Sequence, residues 1–246
     1  MDRPHTDLWP SGNNLLARVP EDERDMFDLH LEPVLLERGQ VLYEPGAPLT
    51  HVYLPVSGMI SLVAVMADGR TAEVATIGRE GAAAMSASGY TDDAFTRYAV
   101  HVPGQAYRLP AAKFEDLIDN SVMFCSAVTR WREVLVRATL QVVACNLLHH
   151  LRQRCARWIL LTHDRTATDL LPLTQEFLAE MLGVKRNAVN IVARELQAGG
   201  LIDYRRGRIA VVDRDGLTRA ACECYGVIRA EIGKMFTDAP SPECWD

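Results

Sequence analysis

The chain has 246 residues, and none of its apolar runs approaches the roughly 20 residues that a membrane-spanning helix needs. Apolar residues make up 48% and charged residues 24%, as in an ordinary globular protein with a packed core. The N-terminus lacks the basic and then apolar run of a secretory signal, so we expect a cytoplasmic protein without a membrane partner. The six cysteines are scattered, which favours reduced thiols over a disulfide framework.

The charge is unevenly distributed, although the net charge is −6. Residues 1–120 carry nine Lys and Arg against 18 Asp and Glu, whereas residues 150–212 carry ten against six. An acidic first part and a basic later part predict two domains with different roles. Because a basic segment attracts a polyanion, we expect the later part to contact nucleic acid.

Short strands are predicted from about residue 30 to residue 110, because short apolar runs alternate with glycines that can form turns. The pair Asp68-Gly69 between two apolar runs is typical of a hairpin. The pattern predicts a compact antiparallel barrel or roll. The predicted strands are Val34–Leu36, Gln40–Tyr43, His51–Pro55, Met59–Met66, Thr71–Ile77, Arg97–Val102 and Gln105–Leu109.

A long helix is predicted from about Leu117 to His150, where turn residues stop and Asn120 or Ser121 can cap its start. One set of side chains recurs at alternating spacings of three and four, the pattern of a coiled-coil seam. We assign this set to a dimer interface: Val128, Trp131, Leu135, Ala138, Val142 and Cys145.

The same helix has a second apolar face, formed by Val136, Leu140, Val143 and Leu147. A helix with two apolar faces must bury both of them. We therefore expect one face to pack on the roll and the other on a twin helix. A single wide core face within a monomer is the alternative.

The segment from Gln175 to Arg194 has the pattern of a helix-turn-helix, and a shorter helix is predicted before it, from Leu151 to Leu161. Ala179 is small where the two helices must cross closely, and Gly183 can adopt the positive φ of the turn. Thr174 can cap the first helix. Part of this pattern would suit any helical hairpin. The residues expected to point between the helices are Leu178, Leu182, Val184, Val189 and Val192.

The outward face of the second helix predicts contact with double-stranded DNA. Arg186 and Asn187 are the candidates for reading bases, because Arg pairs with guanine and Asn with adenine, although cations can also grip only phosphate. Ile191 is interpreted either as a contact to a thymine methyl group or as a buried residue. The full predicted set on this helix is Lys185, Arg186, Asn187, Asn190 and Arg194.

The stretch from Leu201 to Val212 predicts two short strands around a basic turn. After a helix-turn-helix, such a hairpin is interpreted as a wing whose Arg205, Arg206 and Arg208 contact the phosphate backbone. A solvated basic hairpin without a partner is the alternative. A final helix is predicted from about Gly216 to Phe236.

No catalytic constellation and no phosphate-cradling glycine motif are found, so we predict neither an enzyme nor a bound cofactor. Cys222 and Cys224, with Cys244 beyond them, could indicate a metal or redox site. Zinc sites more often separate paired ligands by two or more residues, and residues two apart on a helix do not share a face. No metal site is therefore predicted, and His149 and His150 are interpreted as a polar helix end.

A roll, a long helix and a winged helix-turn-helix, in this order, resemble the cyclic-AMP receptor protein/FNR (Crp/Fnr) superfamily over about residues 14–236. The best-matching pieces are Gly39–Gly46, Val52–Gly58 and Leu173–Val212. The resemblance implies an α+β protein with a β-roll sensor domain at 14–116, a dimerisation helix at 117–150 and a DNA-binding domain at 151–236. It also implies a homodimer on a pseudo-palindromic site, with RNA polymerase as a protein partner.

The departures from this family are informative. Members that bind cyclic AMP hold its phosphate with a Gly-Glu loop and an Arg-Ser pair, but the corresponding segment Gly78–Met85 is rich in alanine. Glu80 and Arg97 remain as candidate effector-binding residues, although Tyr98 follows Arg97 in place of Ser. We therefore expect that the roll does not bind cyclic AMP in the usual way and leave its effector unassigned.

Two further departures concern the cysteines and the reading helix. The first cysteine is Cys125, so the N-terminal cysteine group that holds an iron–sulfur cluster in other members is missing. Asn187 and Ile191 replace a Glu and an Arg that are common in the family, so the usual half-site is not expected. A sensing module that acts through protein contacts is the alternative function, which the clustered arginines disfavour.

Overall fold

The N-terminal part of the chain folds into two facing antiparallel sheets. The computed structural model of the chain describes residues 12–85, 92–166 and 168–237. One sheet has the strand order β2-β6-β4-β5 and the other has the order β1-β7-β3. The predicted roll is confirmed, with small shifts at the strand ends. Its strands are β1 (Glu32–Leu36), β2 (Val41–Tyr43), β3 (His51–Pro55), β4 (Met59–Val65), β5 (Thr71–Ile77), β6 (Arg97–Val102) and β7 (Gly104–Pro110).

Apolar side chains from both sheets meet helices at the base of the roll. Leu54, Ile60 and Leu109 are almost fully buried there. A short helix α1 (Arg24–Asp28) inserts Phe27, whose ring packs edge-on against Phe124 at 4.9 Å between centroids. Such aromatic pairs add stability beyond the area that they bury. The roll and the following helices therefore share one core.

Two helices occupy the region where the sequence predicted a single long one. Helix α2 (Ala111–Asn120) ends at Ser121, whose extended backbone (φ −130°, ψ 106°) separates it from helix α3 (Val122–Leu148). The Ser121 hydroxyl accepts a hydrogen bond from the backbone N–H of Phe124 at 3.1 Å, so Ser121 is the cap that the sequence indicated. The 27 residues of α3 make a rod about 40 Å long.

The predicted dimer seam of α3 lies inside the protomer. Val128, Trp131 and Cys145 are at most 1% exposed, and the Trp131 indole N–H donates to the backbone oxygen of Ala82 at 3.0 Å. Leu135, Ala138 and Val142 are half-buried against the cores of the same chain. The roll and the C-terminal helix of the same chain cover this face, so Val128, Trp131 and Cys145 present no open surface to a partner.

The other apolar face of α3 is open. Val136, Leu140, Val143 and Leu147 are 59%, 65%, 52% and 80% exposed. The two apolar faces predicted from the sequence therefore exist, and the face assigned to the dimer is the one that the protomer itself covers.

The C-terminal part is a winged helix. Its small sheet has the strand order β8-β10-β9, and β9 pairs with β10 as an antiparallel hairpin. The final helix predicted from Gly216 is two helices, because the chain leaves helical geometry after Ala220. The elements are α4 (Leu151–His163), β8 (Leu170–Leu171), α5 (Gln175–Leu182), α6 (Arg186–Ala198), β9 (Ile202–Arg205), β10 (Arg208–Val211), α7 (Arg214–Ala220) and α8 (Cys224–Thr237). Across the described parts of the chain, the helices are too short or too polar to traverse a bilayer.

Candidate nucleic-acid interface

The turn between α5 and α6 has the predicted geometry. The Thr174 hydroxyl accepts the backbone N–H of Phe177 at 3.2 Å and so caps α5. Gly183 ends α5 with φ 65°, a left-handed conformation that glycine adopts without a steric penalty. Ala179 is 5% exposed, and its carbonyl accepts the backbone N–H of Val184 at 2.9 Å. These contacts fix the angle at which α6 leaves the turn.

Helix α6 has one buried and one open face. Val189, Val192 and Leu196 are buried in the domain core. Ile191 is 61% exposed, so the interpretation of this side chain as a buried residue is wrong. The candidate DNA contacts Lys185, Arg186, Asn187 and Arg194 are exposed, and Asn190 is half-buried. Positions 187, 190, 191 and 194 follow helical spacing, which places them along one open stripe.

The wing places a cation at its tip. Arg205 and Arg208 are directly opposite each other in the hairpin, and Arg206 and Gly207 have φ values of 50° and 74°. Two successive positive φ values define a type I′ turn, which suits the twist of the two strands. Arg205, Arg206 and Arg208 are exposed. The Tyr204 N–H donates to Gln197 Oε1 at 3.0 Å, which ties the wing to α6.

The two predicted effector-binding residues have different partners. Glu80 is 5% exposed, and its carboxylate accepts hydrogen bonds from Arg165 Nε at 2.7 Å and from the Gly78 N–H at 3.1 Å. Arg97 instead donates to Glu44 at 2.9 Å on the surface. Each of the two candidate effector-binding residues therefore has a charged partner within the chain, and the two partners lie in different places. The carboxylate of Glu80 forms an ion pair with Arg165, which joins the roll to the segment just after α4.

The alanine-rich segment after Glu80 is packed tightly into the molecule. Ala82 and Ala83 are fully buried, and Ala83 forms two backbone hydrogen bonds with Tyr53 at 2.8 and 3.0 Å. A Cβ at Gly81 would meet the Trp131 ring at 2.0 Å, so only glycine allows this approach. This alanine-rich loop is thus fixed against α3.

Comparison with known protein families finds a match for each of the two parts of the chain. The family model for the cyclic nucleotide-binding domain matches residues 33–121, and the model for the Crp-like helix-turn-helix domain matches residues 153–220. The chain belongs to the Crp/Fnr superfamily.

Solved structures show the same fold at low identity. A Crp/Fnr-family transcriptional regulator from Thermus thermophilus is 21% identical with a TM-score of 0.62, over 77% of this chain and 98% of its own. FixK2 from Bradyrhizobium japonicum is 14% identical with a TM-score of 0.62, over 78% and 98%. The c-di-GMP-responsive global regulator CLP from Xanthomonas campestris is 17% identical with a TM-score of 0.61, over 78% and 99%. None of the curated protein sequences matches this chain significantly.

The Crp-like helix-turn-helix domain rests on the roll of the same chain. The hydroxyl of Thr71 in β5 donates to Glu180 of α5 at 3.1 Å, and the rings of His101 and Phe177 pack at 4.5 Å. Near the centre of this contact, Glu73 accepts hydrogen bonds from Trp158 Nε1 and from the Ser61 hydroxyl, each at 2.7 Å. The roll and the helix-turn-helix domain are therefore joined by polar contacts, of which those of Glu73 are buried.

Glu73 is the functional candidate that the sequence analysis missed. Burial raises the pKa of its carboxyl to about 7, against the lowering effect of its hydrogen bonds with Ser61 and Trp158. The signal was present, because Glu73 alternates with the buried Ala75 and Ile77 along β5 and so points inward. The identity of its partner on α4 was not visible in the local pattern.

Cys222 and Cys224 also lie at positions that the sequence analysis did not predict. Cys222 lies in the link between α7 and α8, and Cys224 begins α8, so they do not share a helix. The argument that they must point apart was therefore wrong. Their sulfur atoms lie close to Cys145 and His149 at the end of α3. Cys244 lies outside the described residues.

Proposed function

We propose that the chain is a homodimeric transcriptional regulator that binds a pseudo-palindromic site on double-stranded DNA in the cytoplasm. The observation that carries this proposal is the open face of α6, whose exposed cationic and amide side chains belong to the same winged helix as the exposed arginines of the wing. We further propose RNA polymerase as its protein partner, as the family resemblance implies.

The start of α6 supports the assignment of the base-reading residues. In a helix-turn-helix, the N-terminal residues of the second helix contact base edges in the major groove. Arg186 and Asn187 are the first two residues of α6, and both are exposed. Their guanidinium and amide groups suit guanine and adenine, respectively. Lys185, Asn190 and Arg194 flank them and are proposed to contact the groove walls.

The wing is proposed to hold the DNA backbone. Arg205, Arg206 and Arg208 are exposed around the two-residue turn of the hairpin. Cations at such a tip contact phosphates, which position the protein without reading sequence. Arg206 should therefore contribute to binding at every DNA site.

The exposed apolar face of α3 supports the dimer. Val136, Leu140, Val143 and Leu147 follow each other at spacings of four, three and four, which is the seam of a two-stranded coiled coil. The four side chains are more than half exposed, a costly arrangement in water unless a partner covers them. We propose that the partner is the same face of a second copy, since two reading heads are needed for a palindromic site.

The roll is proposed not to bind cyclic AMP in the usual way. A buried phosphate needs charge-assisted partners. Glu80 is committed to Arg165, and Arg97 pairs with Glu44. Isothermal titration calorimetry with cyclic AMP should therefore give no binding heat in the micromolar range. Cyclic di-GMP belongs in the same titration series, since one structural relative responds to it.

The DNA-binding assignment is tested by fluorescence anisotropy on a selected site and on a scrambled duplex at several salt concentrations. Arg186→Ala should lose about 1–3 kcal/mol on the selected site and little on the scrambled one. Arg206→Ala should weaken both duplexes and reduce the salt slope by about one. Arg70→Ala, which removes an exposed arginine on the roll, is the control and should change neither. Equal losses for both variants on both duplexes would refute the division of roles.

A further inference from the structure

Four metal-ligating side chains meet where α3 ends. The ligand atoms of Cys145, His149, Cys222 and Cys224 all lie within 4.8 Å of one another. The Sγ atoms of Cys145 and Cys222 are 3.4 Å apart, and Cys224 Sγ is 3.6 Å from His149 Nδ1. Nothing in the DNA-binding function of the chain uses this cluster.

The chain brings these ligands together from two places. Cys145 lies in the last turn of α3, and His149 is the residue that follows this helix, four positions later, so both side chains lie on the same side of the helix end. Cys222 and Cys224 come from the link between α7 and α8 and from the first residue of α8. The three thiols are at most 4% exposed, and the His149 side chain is 17% exposed.

The distances suit one tetrahedral ion. With zinc–sulfur bonds of about 2.3 Å and a zinc–nitrogen bond of about 2.0 Å, tetrahedral angles give about 3.8 Å between sulfurs and about 3.5 Å from sulfur to nitrogen. The observed separations of 3.4 and 3.6 Å are within a few tenths of an ångström of those values. A disulfide would need about 2.05 Å, so Cys145 and Cys222 are separate thiols here.

The surrounding hydrogen bonds match those of a metal site. The other nitrogen of His149, Nε2, lies 3.2 Å from Glu223 Oε1, so Nδ1 is directed at the cysteines. Histidines that ligate metals usually donate their second N–H to a carboxylate, which fixes the ring and its tautomer. Gln141 Nε2 donates to Cys224 Sγ at 3.0 Å and can stabilise negative charge on that sulfur.

We propose that Cys145, His149, Cys222 and Cys224 form a site for one zinc-type divalent ion. Three sulfurs and one imidazole are a typical structural zinc set, and soft sulfur ligands select against magnesium and calcium. His149 is the residue that follows α3, just before the turn into α4. A bound ion would therefore fix the end of the long helix to the start of α8, beside the junction that leads into the DNA-binding domain.

The test measures metal in the full chain, purified under reducing conditions without chelators, and does not depend on DNA binding. Elemental analysis should find one zinc per chain. The metal-free protein titrated with Co²⁺ should develop the visible ligand-field bands of a tetrahedral thiolate site. Cys222→Ser and His149→Ala should lose the zinc or bind it far more weakly.

Two matched controls and one peripheral variant sharpen the result. Cys155→Ala removes a cysteine that is buried in the core around the helix-turn-helix, and His150→Ala removes the histidine next to His149. Both variant proteins should keep the zinc. Glu223→Gln changes an exposed side chain that does not endanger folding. It should retain the metal with an affinity about 10- to 100-fold lower.

Three outcomes would overturn the proposal. The first is wild-type protein that holds no zinc and gives no Co²⁺ bands. The second is Cys222→Ser protein that binds zinc as tightly as the wild type. The third is a Cys145–Cys222 disulfide, found by mass spectrometry after alkylation of the protein as purified, which would assign these thiols to redox chemistry instead.

Discussion

Replacing Leu140 with glutamate should dissociate the proposed dimer without unfolding the protomer. Leu140 lies near the middle of the exposed apolar face of α3 and is 65% exposed in the single chain. A glutamate at this position costs the monomer little, because its carboxylate remains in water. In the dimer, two carboxylates would face each other across an apolar seam.

The size of the effect follows from the exposed area. Full burial of a leucine side chain contributes about 1.5–3 kcal/mol, so covering the open two thirds of Leu140 in both copies contributes about 2–4 kcal/mol. Loss of that contribution raises the dimer dissociation constant about 30- to 700-fold, since each 1.4 kcal/mol is about tenfold. The desolvation of two carboxylates increases the loss further.

Sedimentation velocity over a concentration series measures this change directly. Leu35→Glu is the matched control, because it makes the same substitution at a leucine that is 69% exposed on β1. The wild type and Leu35→Glu should sediment as dimers where Leu140→Glu is monomeric, with equal circular dichroism. If Leu140→Glu remains dimeric at the same concentrations as the control, the assignment of this face is wrong.

Three further predictions concern stability, each measured by urea unfolding. Gly183→Ala should cost about 1–2 kcal/mol, because the backbone is left-handed there while nothing lies within 4 Å of the added Cβ. Gly183→Asn should cost less, and an equal loss for both would contradict this explanation. Arg165→Met should cost about 3–5 kcal/mol, because it leaves the Glu80 carboxylate buried without its cation. Adding Glu80→Gln should restore part of that loss; no recovery would show that the ion pair is not the cause. Glu73 has a folded pKa of about 7 above its ordinary 4.5, so the folded state holds the proton more tightly and the contribution of Glu73 to stability should fall as pH rises through this window, opposite in sign to that of His101, whose pKa burial lowers to about 4. Glu73→Gln should remove that fall, and parallel pH profiles for the two proteins would contradict the assignment.

The elements that the sequence predicted well are those with strong local patterns. The strands of the roll follow from short apolar runs between glycines, and the hairpin at Gly69 (φ 84°) is a turn that glycine favours. In the helix-turn-helix, Thr174 caps a backbone N–H three residues later, and Gly183 ends α5 through its own left-handed backbone. Because these interactions are local, spacing alone was sufficient to predict them.

The errors arose where the outcome depends on distant contacts. Both faces of α3 are apolar, and only the docking of the roll and of α8 decides which one is covered. The partner of Glu80 could not be predicted either, because Arg165 is 85 residues away in the sequence. The cysteines were judged as if they lay on one helix, and the break after Ala220 has no proline or glycine to mark it.

Selection of binding sites from a random double-stranded DNA pool tests the central claim most directly. The purified wild type should enrich an inverted repeat whose half-site centres are about one helical turn apart, and cyclic AMP should not change the enriched sequence or its affinity. Leu140→Glu should enrich at most a single half-site. Failure of the wild type to enrich any sequence would contradict the account and favour a module that acts through protein contacts instead.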